Sequence, residues 1–228
     1  MRAGATPAAP PSGRRPYRSP VRQAKAGRTR ARILEAATQA FRTRGYAGTT
    51  VAVVAAAARV SVAAVELSFP TKPDLLRAAI DVAIAGDDEP VPVLERPWAA
   101  AARAAPDATA FLDAVATVLV PAAERSDALV LAALEGARGD HRLVPLSEQL
   151  RAQRAVTAGW IVDGLTDKTP LRAGLDRAEA IDIVWLLMDP AVFDRLITAR
   201  SWTPERFGRF FADGLLRLLT PPAPGRTG

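Results

Sequence analysis

The chain contains no cysteine and few aromatic residues. Without cysteine it can form neither a disulfide framework nor thiolate metal ligands, and it is compatible with a reducing compartment. No stretch approaches the roughly 18 consecutive apolar residues of a membrane span. No apolar segment near the N-terminus has the form of a secretory signal. We therefore expect a cytoplasmic protein without a membrane partner.

Motifs of catalysis and cofactor binding are missing as well. The sequence has no G-x-G-x-x-G, no P-loop and no G-x-S-x-G. His141 is the only histidine, and no cysteine stands near it, which disfavours a transition-metal site. The acidic residues 87–89 are more typical of a solvated loop than of a hard-cation site. The sequence predicts no enzyme activity, no metal and no cofactor.

Charge is distributed unevenly along the 228 residues. Residues 1–46 hold eleven lysines and arginines but one acid, Glu35, and the remainder of the chain is slightly acidic. This asymmetry indicates a polyanion partner or, alternatively, a solubilising tail, and charge alone leaves both open. Because residues 1–26 are rich in Pro, Gly and Arg, they are predicted to form a disordered basic arm.

Helix formers dominate the rest, since alanine and leucine are abundant and β-branched runs are short, which predicts an all-α chain. Apolar periodicity begins near Arg28, and Gly45 is placed to end this first helix with a left-handed cap. Thr50, Ser61 and Thr71 are suited to cap three further helices. The second covers residues 51–58 and the third ends before Pro70. Two such short helices joined by a tight turn predict a helix-turn-helix.

The second part of the chain shows longer helical patterns after a proline-rich loop at 86–97. Pro190 is predicted to kink the penultimate helix, because proline removes a backbone donor. The last helix carries an apolar stripe at steps of three and four residues. The tail from residue 220 is predicted to be disordered. Helices are expected at about 107–120, 123–137, 146–165, 176–199 and 204–219.

Residues 30–80 resemble the N-terminal DNA-binding domain of the TetR/AcrR family of bacterial transcriptional regulators. The resemblance rests on ILEAA, the phenylalanine before RGY, the TTV that opens the second helix, the V-S before the third, and F-x-x-K-x-x-L before the fourth. It implies a three-helix DNA-binding domain at 27–74, followed by a helical ligand-binding and dimerisation domain at 75–219. It further implies a homodimer that binds a palindromic operator on double-stranded DNA and is released by a small molecule, acting as a repressor.

The same resemblance assigns the positions that contact DNA. Family members usually carry glycine where Arg59 stands, an aromatic residue where Glu66 stands, and histidine or an aromatic where Ser68 stands. The third helix has no Arg, Asn or Gln for bidentate base contacts, which leaves thymine methyl contacts and a cytosine amino group facing Glu66. We hypothesise that the basic arm offsets the missing phosphate contact. The assigned residues are Arg28, Arg30, Thr50, Arg59, Ser61, Val62, Ala63, Ala64, Glu66, Leu67 and Lys72.

The effector and the dimer contact are less specific predictions. An apolar pocket for an apolar or aromatic effector is predicted from Phe111, Leu112, Val115, Leu119, Leu134, Trp160, Trp185 and Met188. Taken one by one, these side chains are more typical of a plain hydrophobic core. In this family the two last helices usually form the dimer, which implies an interface with Ile181, Trp185, Phe207, Phe210, Phe211, Gly214 and Leu218.

A second function class stays open at this point. The chain could be a dimeric helical module that binds a ligand or a protein and whose helix-turn-helix is vestigial. Arg59, Glu66 and the apolar third helix favour that alternative. The long basic arm favours DNA binding.

Overall fold

The first helix is interrupted where glycine permits it. The computed structural model describes residues 20–87, 89 and 91–222, and every regular element within them is helical. Helix α1 spans Pro20–Gly48, so it begins before Arg28, the predicted start. Gly45 adopts φ +63°, the left-handed geometry that glycine tolerates without a steric penalty. Residues 1–19 of the predicted arm and 223–228 of the predicted tail lie outside the described residues.

The next three helices begin where their capping residues predict. They are α2 (Val51–Ala58), α3 (Val62–Ser68) and α4 (Lys72–Ala85). The side chains of Thr50, Ser61 and Thr71 each accept a hydrogen bond from the backbone N–H three residues further on. Each bond satisfies a donor that a helix start leaves unpaired, and such a cap contributes about 1 kcal/mol. The predicted starts of all three helices are confirmed.

Helices α2 and α3 form a sharply bent pair. The angle between them is 105°, within the range of helix-turn-helix units. No single helix in the described ranges is long and apolar enough to cross a membrane, and this bent pair passes that test only when its two helices are taken together.

The second part of the chain is built around one long helix. Helix α6 crosses the molecule and packs against α1, α4, α7 and α10. Short 3-10 turns precede α5 and α7, and a π turn at Arg195–Ala199 follows α9. The bounds are α5 Pro97–Arg103, α6 Ala108–Gly136, α7 Val144–Thr166, α8 Arg177–Leu187, α9 Pro190–Asp194 and α10 Pro204–Leu219.

Two helix boundaries near prolines differ from the prediction. Separate helices are predicted at about 107–120 and 123–137, but α6 is continuous across this break and contains Pro121. Pro190, expected only to kink a helix, starts the new helix α9. There the side chain of Asp189 accepts a hydrogen bond of 2.8 Å from the N–H of Ala191, so Asp189 and Pro190 together make a standard helix start.

Two hydrophobic clusters share helix α6. The first holds the buried faces of α1–α4 and continues into the second part of the chain through Leu129, Leu146 and Leu150. The second joins α6, α7, α8 and α10, with Phe111 and Ile161 fully buried in it. Because one helix contributes to both clusters, a shift of α6 would disturb the packing around the helix-turn-helix and around the C-terminal helices together.

Candidate functional site

Helix α3 presents a largely apolar outer face. Val65 and the capping residue Phe69 are buried, at 0% and 4% exposure, and they anchor the helix to the core. The opposite face carries Val62, Ala63, Glu66 and Leu67, all exposed, and Leu67 reaches 89%. This face offers methyl groups and one carboxylate to a partner, so hydrophobic contact dominates what it can recognise.

Three of the predicted DNA-contacting residues carry cationic side chains on α1 and at the start of α4. Arg28 is exposed on α1. The guanidinium of Arg30 stacks on the ring of Phe69 at 4.5 Å. The ammonium of Lys72 lies 3.9 Å above the ring of Tyr46, and burial lowers the pKa of Lys72 from its ordinary value. Arg30 and Lys72 are therefore held by aromatic rings before any DNA is present.

Three other predicted DNA-contacting residues already take part in helix capping. The hydroxyls of Thr50 and Ser61 serve as helix caps. Ala64 is partly buried, and its N–H is the donor that Ser61 accepts. A phosphate could share these helix starts with the caps, because N–H groups at a helix N-terminus favour anions.

Arg59 forms the turn between α2 and α3 in a strained conformation. Its φ and ψ are 54° and 49°, the left-handed region in which a side chain costs about 1 kcal/mol relative to glycine. The guanidinium of Arg32 donates hydrogen bonds to the carbonyls of Ala58 at 2.8 Å and of Arg59 at 3.2 Å. Contacts from α1 therefore hold the turn in place despite the strain.

Replacing Arg59 with glycine is expected to raise the free energy of unfolding by up to about 1 kcal/mol, because the left-handed conformation no longer carries a penalty. Urea denaturation of the two proteins measures the difference. Arg59→Ala is the matched control, since it removes the charge and keeps the strain. Equal stability of the glycine and alanine variants would contradict the strained turn.

A polar bridge joins the helix-turn-helix to the second part of the chain. The hydroxyl of Tyr46 donates a hydrogen bond of 2.9 Å to the carboxylate of Asp140. Burial and the neighbouring Asp140 raise the pKa of Tyr46 to about 12, so the phenol stays protonated as the donor. Asp140 in turn pairs with Arg142 at 2.7 Å. Since Lys72 sits on the Tyr46 ring, the start of α4 is tied to this bridge.

The other end of α4 is held from α6. The Nε of Arg125 donates a hydrogen bond of 2.9 Å to the carbonyl of Ala83. Gly86 ends α4 with φ +85°, and an added Cβ there would lie 3.3 Å from the Arg125 guanidinium. Helix α4 is thus held at its start by the Tyr46 ring of α1 and at its end by Arg125 of α6.

A cavity of about 1090 Å³ lies between α4, α6 and α7, with residues 187–190 closing one side. Its volume is ample for a drug-sized ligand. Helix α4 contributes Asp81, Val82, Ile84 and Ala85 to the wall. The structure brings five of the predicted pocket residues to this wall: Val115, Leu119, Leu134, Trp160 and Met188.

Three predicted pocket residues do not line the cavity. Phe111 and Leu112 are buried at 0% and 1% in the core behind it, with the Phe111 ring 5.8 Å from that of Trp160. The ring of Trp185 is covered by the guanidinium of Arg154 at 3.9 Å. The apolar pattern could not separate wall from core, because both positions need hydrophobic side chains.

The charged residues of the cavity wall were not predicted. Asp127, Arg154 and Asp189 line it, and Arg154 pairs with Asp189 at 2.8 Å. A signal for them exists in the sequence. Asp127 continues the stripe of Leu119 and Ala123 at a step of four, and a charge on a buried stripe requires a partner or a function.

The predicted dimer residues separate into three groups by their exposure. Phe207 and Phe211 are buried at 2% and 0% inside the single chain, which corrects their assignment to a dimer interface. Ile181 and Trp185 are partly buried against the same core. Phe210 and Leu218 are exposed at 37% and 44%, and a Cβ on Gly214 would meet nothing within 4 Å. Phe210, Gly214 and Leu218 follow one another at steps of four and form an open face on α10.

In the described residues, no group of three His, Asp or Glu side chains is arranged so that it could hold a metal ion. His141 is exposed within a 3-10 turn. Asp87 pairs with Arg96 at 2.6 Å, which lowers the pKa of Asp87 to about 2. Asp88, the middle residue of the acidic run, lies outside the described residues.

Comparison with known proteins gives a family match for the N-terminal domain. Residues 33–79 match the family model described as bacterial regulatory proteins, tetR family. No curated protein sequence matches the chain significantly. The match covers the helix-turn-helix and the first part of α4.

Solved structures share the fold over nearly the whole chain. A transcriptional regulator from Saccharomonospora viridis in complex with choline has 17% identity and a TM-score of 0.62, over 86% of this chain and 99% of the other. NalD, the secondary repressor of the MexAB-OprM multidrug efflux pump in Pseudomonas aeruginosa, has 16% identity and a TM-score of 0.60, over 88% and 100%. FadR from Bacillus subtilis in complex with stearoyl-CoA has 17% identity and a TM-score of 0.62, over 82% and 98%.

Proposed function

We propose that this chain, which has the N-terminal domain and the fold of TetR-family transcriptional regulators, is a ligand-released repressor that binds operator DNA in the cytoplasm. The observation that carries the proposal is the outward face of α3, which the buried Val65 and the 105° turn hold clear of the core. We assign residues 27–74 to DNA binding and 75–219 to ligand binding and dimerisation. The protein acts without catalysis.

DNA recognition in this proposal divides between affinity and sequence reading. Arg28, Arg30 and Lys72 supply phosphate contacts, which position a protein on the duplex without reading bases. Val62, Ala63 and Leu67 supply methyl contacts in the major groove, and Glu66 accepts from a cytosine amino group. Because these base contacts are few, phosphate contacts carry most of the affinity.

A homodimer reads a two-fold operator in the proposed mechanism. The open face of Phe210, Gly214 and Leu218 on α10, together with Leu186 at 58% exposure on α8, is the surface that a second copy covers. Gly214 permits close approach of the partner helix. Two α3 helices related by the two-fold axis then enter successive major grooves, about one helical turn or a little more apart.

Ligand release follows from the position of α4. This helix lines the cavity at its C-terminal end and meets Tyr46 at its start through Lys72. A ligand that binds more tightly when α4 has moved favours the conformation that cannot bind DNA. Neighbours of the same fold have been solved with choline and with stearoyl-CoA, which supports a ligand role for the cavity.

The proposal is tested by measuring binding of the purified full-length protein to the DNA that flanks its own gene, against scrambled DNA, over a salt titration. We expect a preference of at least about a thousandfold at physiological salt. Equal and steeply salt-dependent binding to both DNAs would instead support the vestigial helix-turn-helix. Operators elsewhere in the genome are covered by the same assay on a genomic fragment library.

A variant pair isolates the contribution of α3. Ala63→Glu places a second carboxylate on the exposed face of α3, and we expect it to weaken operator binding by about 10- to 100-fold, the size of one lost base contact. Ala101→Glu is the control, because Ala101 is also exposed but lies on α5. Equal effects of both variants would contradict a role of this face in DNA binding.

A further inference from the structure

Charged side chains occupy one wall of the otherwise apolar cavity. The side chain of Arg154 is only 10% exposed, and its Nη1 lies 2.8 Å from a carboxylate oxygen of Asp189. Its guanidinium also stacks on the ring of Trp185. The other oxygen of Asp189 accepts from the N–H of Ala191. Arg154 and Asp189 therefore form a buried pair whose strong contacts are already made.

Asp127 adds a carboxylate to this pair that the single guanidinium does not balance. It lies on α6 in the cavity wall, where burial and the nearby carboxylates of Asp189 and Asp194 oppose its ionisation. Arg154 and the hydroxyl of Ser126 favour ionisation, but the net result raises the pKa of Asp127 to about 7. An ionised Asp127 thus leaves this wall with excess negative charge.

The other charged groups around the cavity do not supply the missing cation. Arg96 pairs with Asp87, Arg125 donates to the carbonyls of α4, and Nη1 of Arg151 donates a hydrogen bond of 3.4 Å to the hydroxyl of Ser147. Glu89 and Glu95 add two further carboxylates to the lining. Arg77 donates to Gln149, and Asp81 next to it adds a further partly buried carboxyl whose pKa burial raises. Among the described lining residues, six carboxyl groups therefore face four guanidinium groups, so the unbalanced charge is negative. The partly buried Asp127 is one of these carboxyl groups.

We propose that the cavity binds an amphipathic cation, namely a protonated amine on an apolar body, whose ammonium group pairs with Asp127. The inference rests on the proposed function and specifies its ligand. The apolar body lies against Leu119, Trp160 and Met188, which line the same cavity. The ammonium supplies the compensating charge that Asp127 lacks, at a partly buried position where water screens the attraction less than in bulk solvent.

An anionic ligand fits this wall poorly. It would bring another negative charge next to Asp127 and Asp189, and Arg154 is already paired and stacked. The Nε of Arg154 and the indole N–H of Trp98 are buried without a hydrogen-bond partner among the described residues, and both side chains line the cavity. A neutral acceptor oxygen on the cationic ligand would satisfy either donor without adding charge.

Three probes with the same ten-carbon chain test the ligand class: decylamine, 1-decanol and decanoate, each titrated below its aggregation concentration into the full-length protein at pH 8 by calorimetry. We expect the ammonium to bind at least about tenfold more tightly than the alcohol, and decanoate to bind most weakly, since opposite charge is favoured at Asp127. Tightest binding of decanoate, or absence of binding by all three, would overturn the proposal.

The pH dependence and one variant locate the contact. Between pH 6 and pH 8 the ionised fraction of a group with a pKa of about 7 rises about tenfold, so the affinity for decylamine should rise about tenfold and that for decanol should not. Asp127→Asn should reduce the amine-to-alcohol ratio to about one while decanol binding persists. Asp113→Asn, an exposed acid on the same helix, should change neither affinity. Unchanged amine preference in Asp127→Asn would refute the assignment.

The titration also separates this inference from the proposed function, because it contains no DNA. If decylamine binds through Asp127 and fails to release operator DNA, the ligand class stands and the ligand-released mechanism fails. If the protein binds operator DNA but shows no preference for the amine, the ligand class fails and the DNA-binding function stands.

Discussion

Replacing Gly164 with alanine is expected to lower the free energy of unfolding by about 2 kcal/mol. An added Cβ at this position of α7 would lie 2.3 Å from Cζ and 2.7 Å from Cε2 of Phe111. Phe111 is fully buried and packs against Trp160, so its ring cannot move aside without disturbing the second core. Overpacking of this kind costs about 1–3 kcal/mol, which exceeds the gain of at most about 1 kcal/mol from replacing a helical glycine. Thermal denaturation should show a fall of about 4–8 °C in Tm.

Gly159 on the same helix provides the matched control. A Cβ there would find its nearest neighbours, Nη2 of Arg177 and Cδ1 of Ile181, at 3.7 Å, an ordinary contact distance. Gly159→Ala should therefore leave stability unchanged or raise it by up to about 1 kcal/mol. Equal stability of the two alanine variants would mean that Phe111 does not pack on Gly164 as described.

The helix-turn-helix could be predicted from the sequence because its boundaries are set by local chemistry. Thr50 and Ser61 cap their helices with hydrogen bonds that reach only three residues along the chain. Gly45 supplies a left-handed residue where α1 is interrupted. Such interactions depend on neighbours in sequence, so their pattern is visible before any tertiary contact is known.

The long helices were predicted less well because tertiary packing outweighs local preference. Pro121 removes one hydrogen bond and costs about 3 kcal/mol in a helix interior. Helix α6 nevertheless continues through it, since buried residues on both sides, among them Val120 and Leu129, are held by the surrounding helices. At Pro190 the local signal was available: aspartate followed by proline is a typical helix start.

The residues of the candidate sites were also predicted well where local structure sets their direction, and less well where tertiary packing sets it. The outward residues of α3 could be assigned from the position of the turn, because only Val65 and Phe69 have to face the core. The apolar stripe of α10 predicted a buried face correctly, but it could not tell the core side, Phe207 and Phe211, from the open side, Phe210 and Leu218. That distinction depends on which neighbours a helix meets.

Asp127 makes the stability of the protein depend on pH in an unusual direction. Its pKa is about 7 in the folded protein, compared with 3.8 for an ordinary aspartate. Well below pH 3.8 both the folded and the unfolded chain hold the proton, so the residue has no effect. As the pH rises towards 7 the unfolded chain loses the proton first, which favours unfolding. The contribution of Asp127 to stability therefore falls between about pH 4 and pH 7.

Replacing Asp127 with asparagine is expected to remove this penalty. The difference in the free energy of unfolding between the variant and the natural protein should grow by about 2–3 kcal/mol as the pH rises from 5 to 8, since each pKa unit corresponds to about 1.4 kcal/mol. Urea denaturation of both proteins at the two pH values measures the change, with the exposed Asp113→Asn as control. A stability difference that is the same at pH 5 and pH 8 would rule out the buried carboxylate as its source. A gain in stability together with a loss of amine binding would mean that Asp127 is retained for its ligand, because residues that serve binding are often those that destabilise the empty protein.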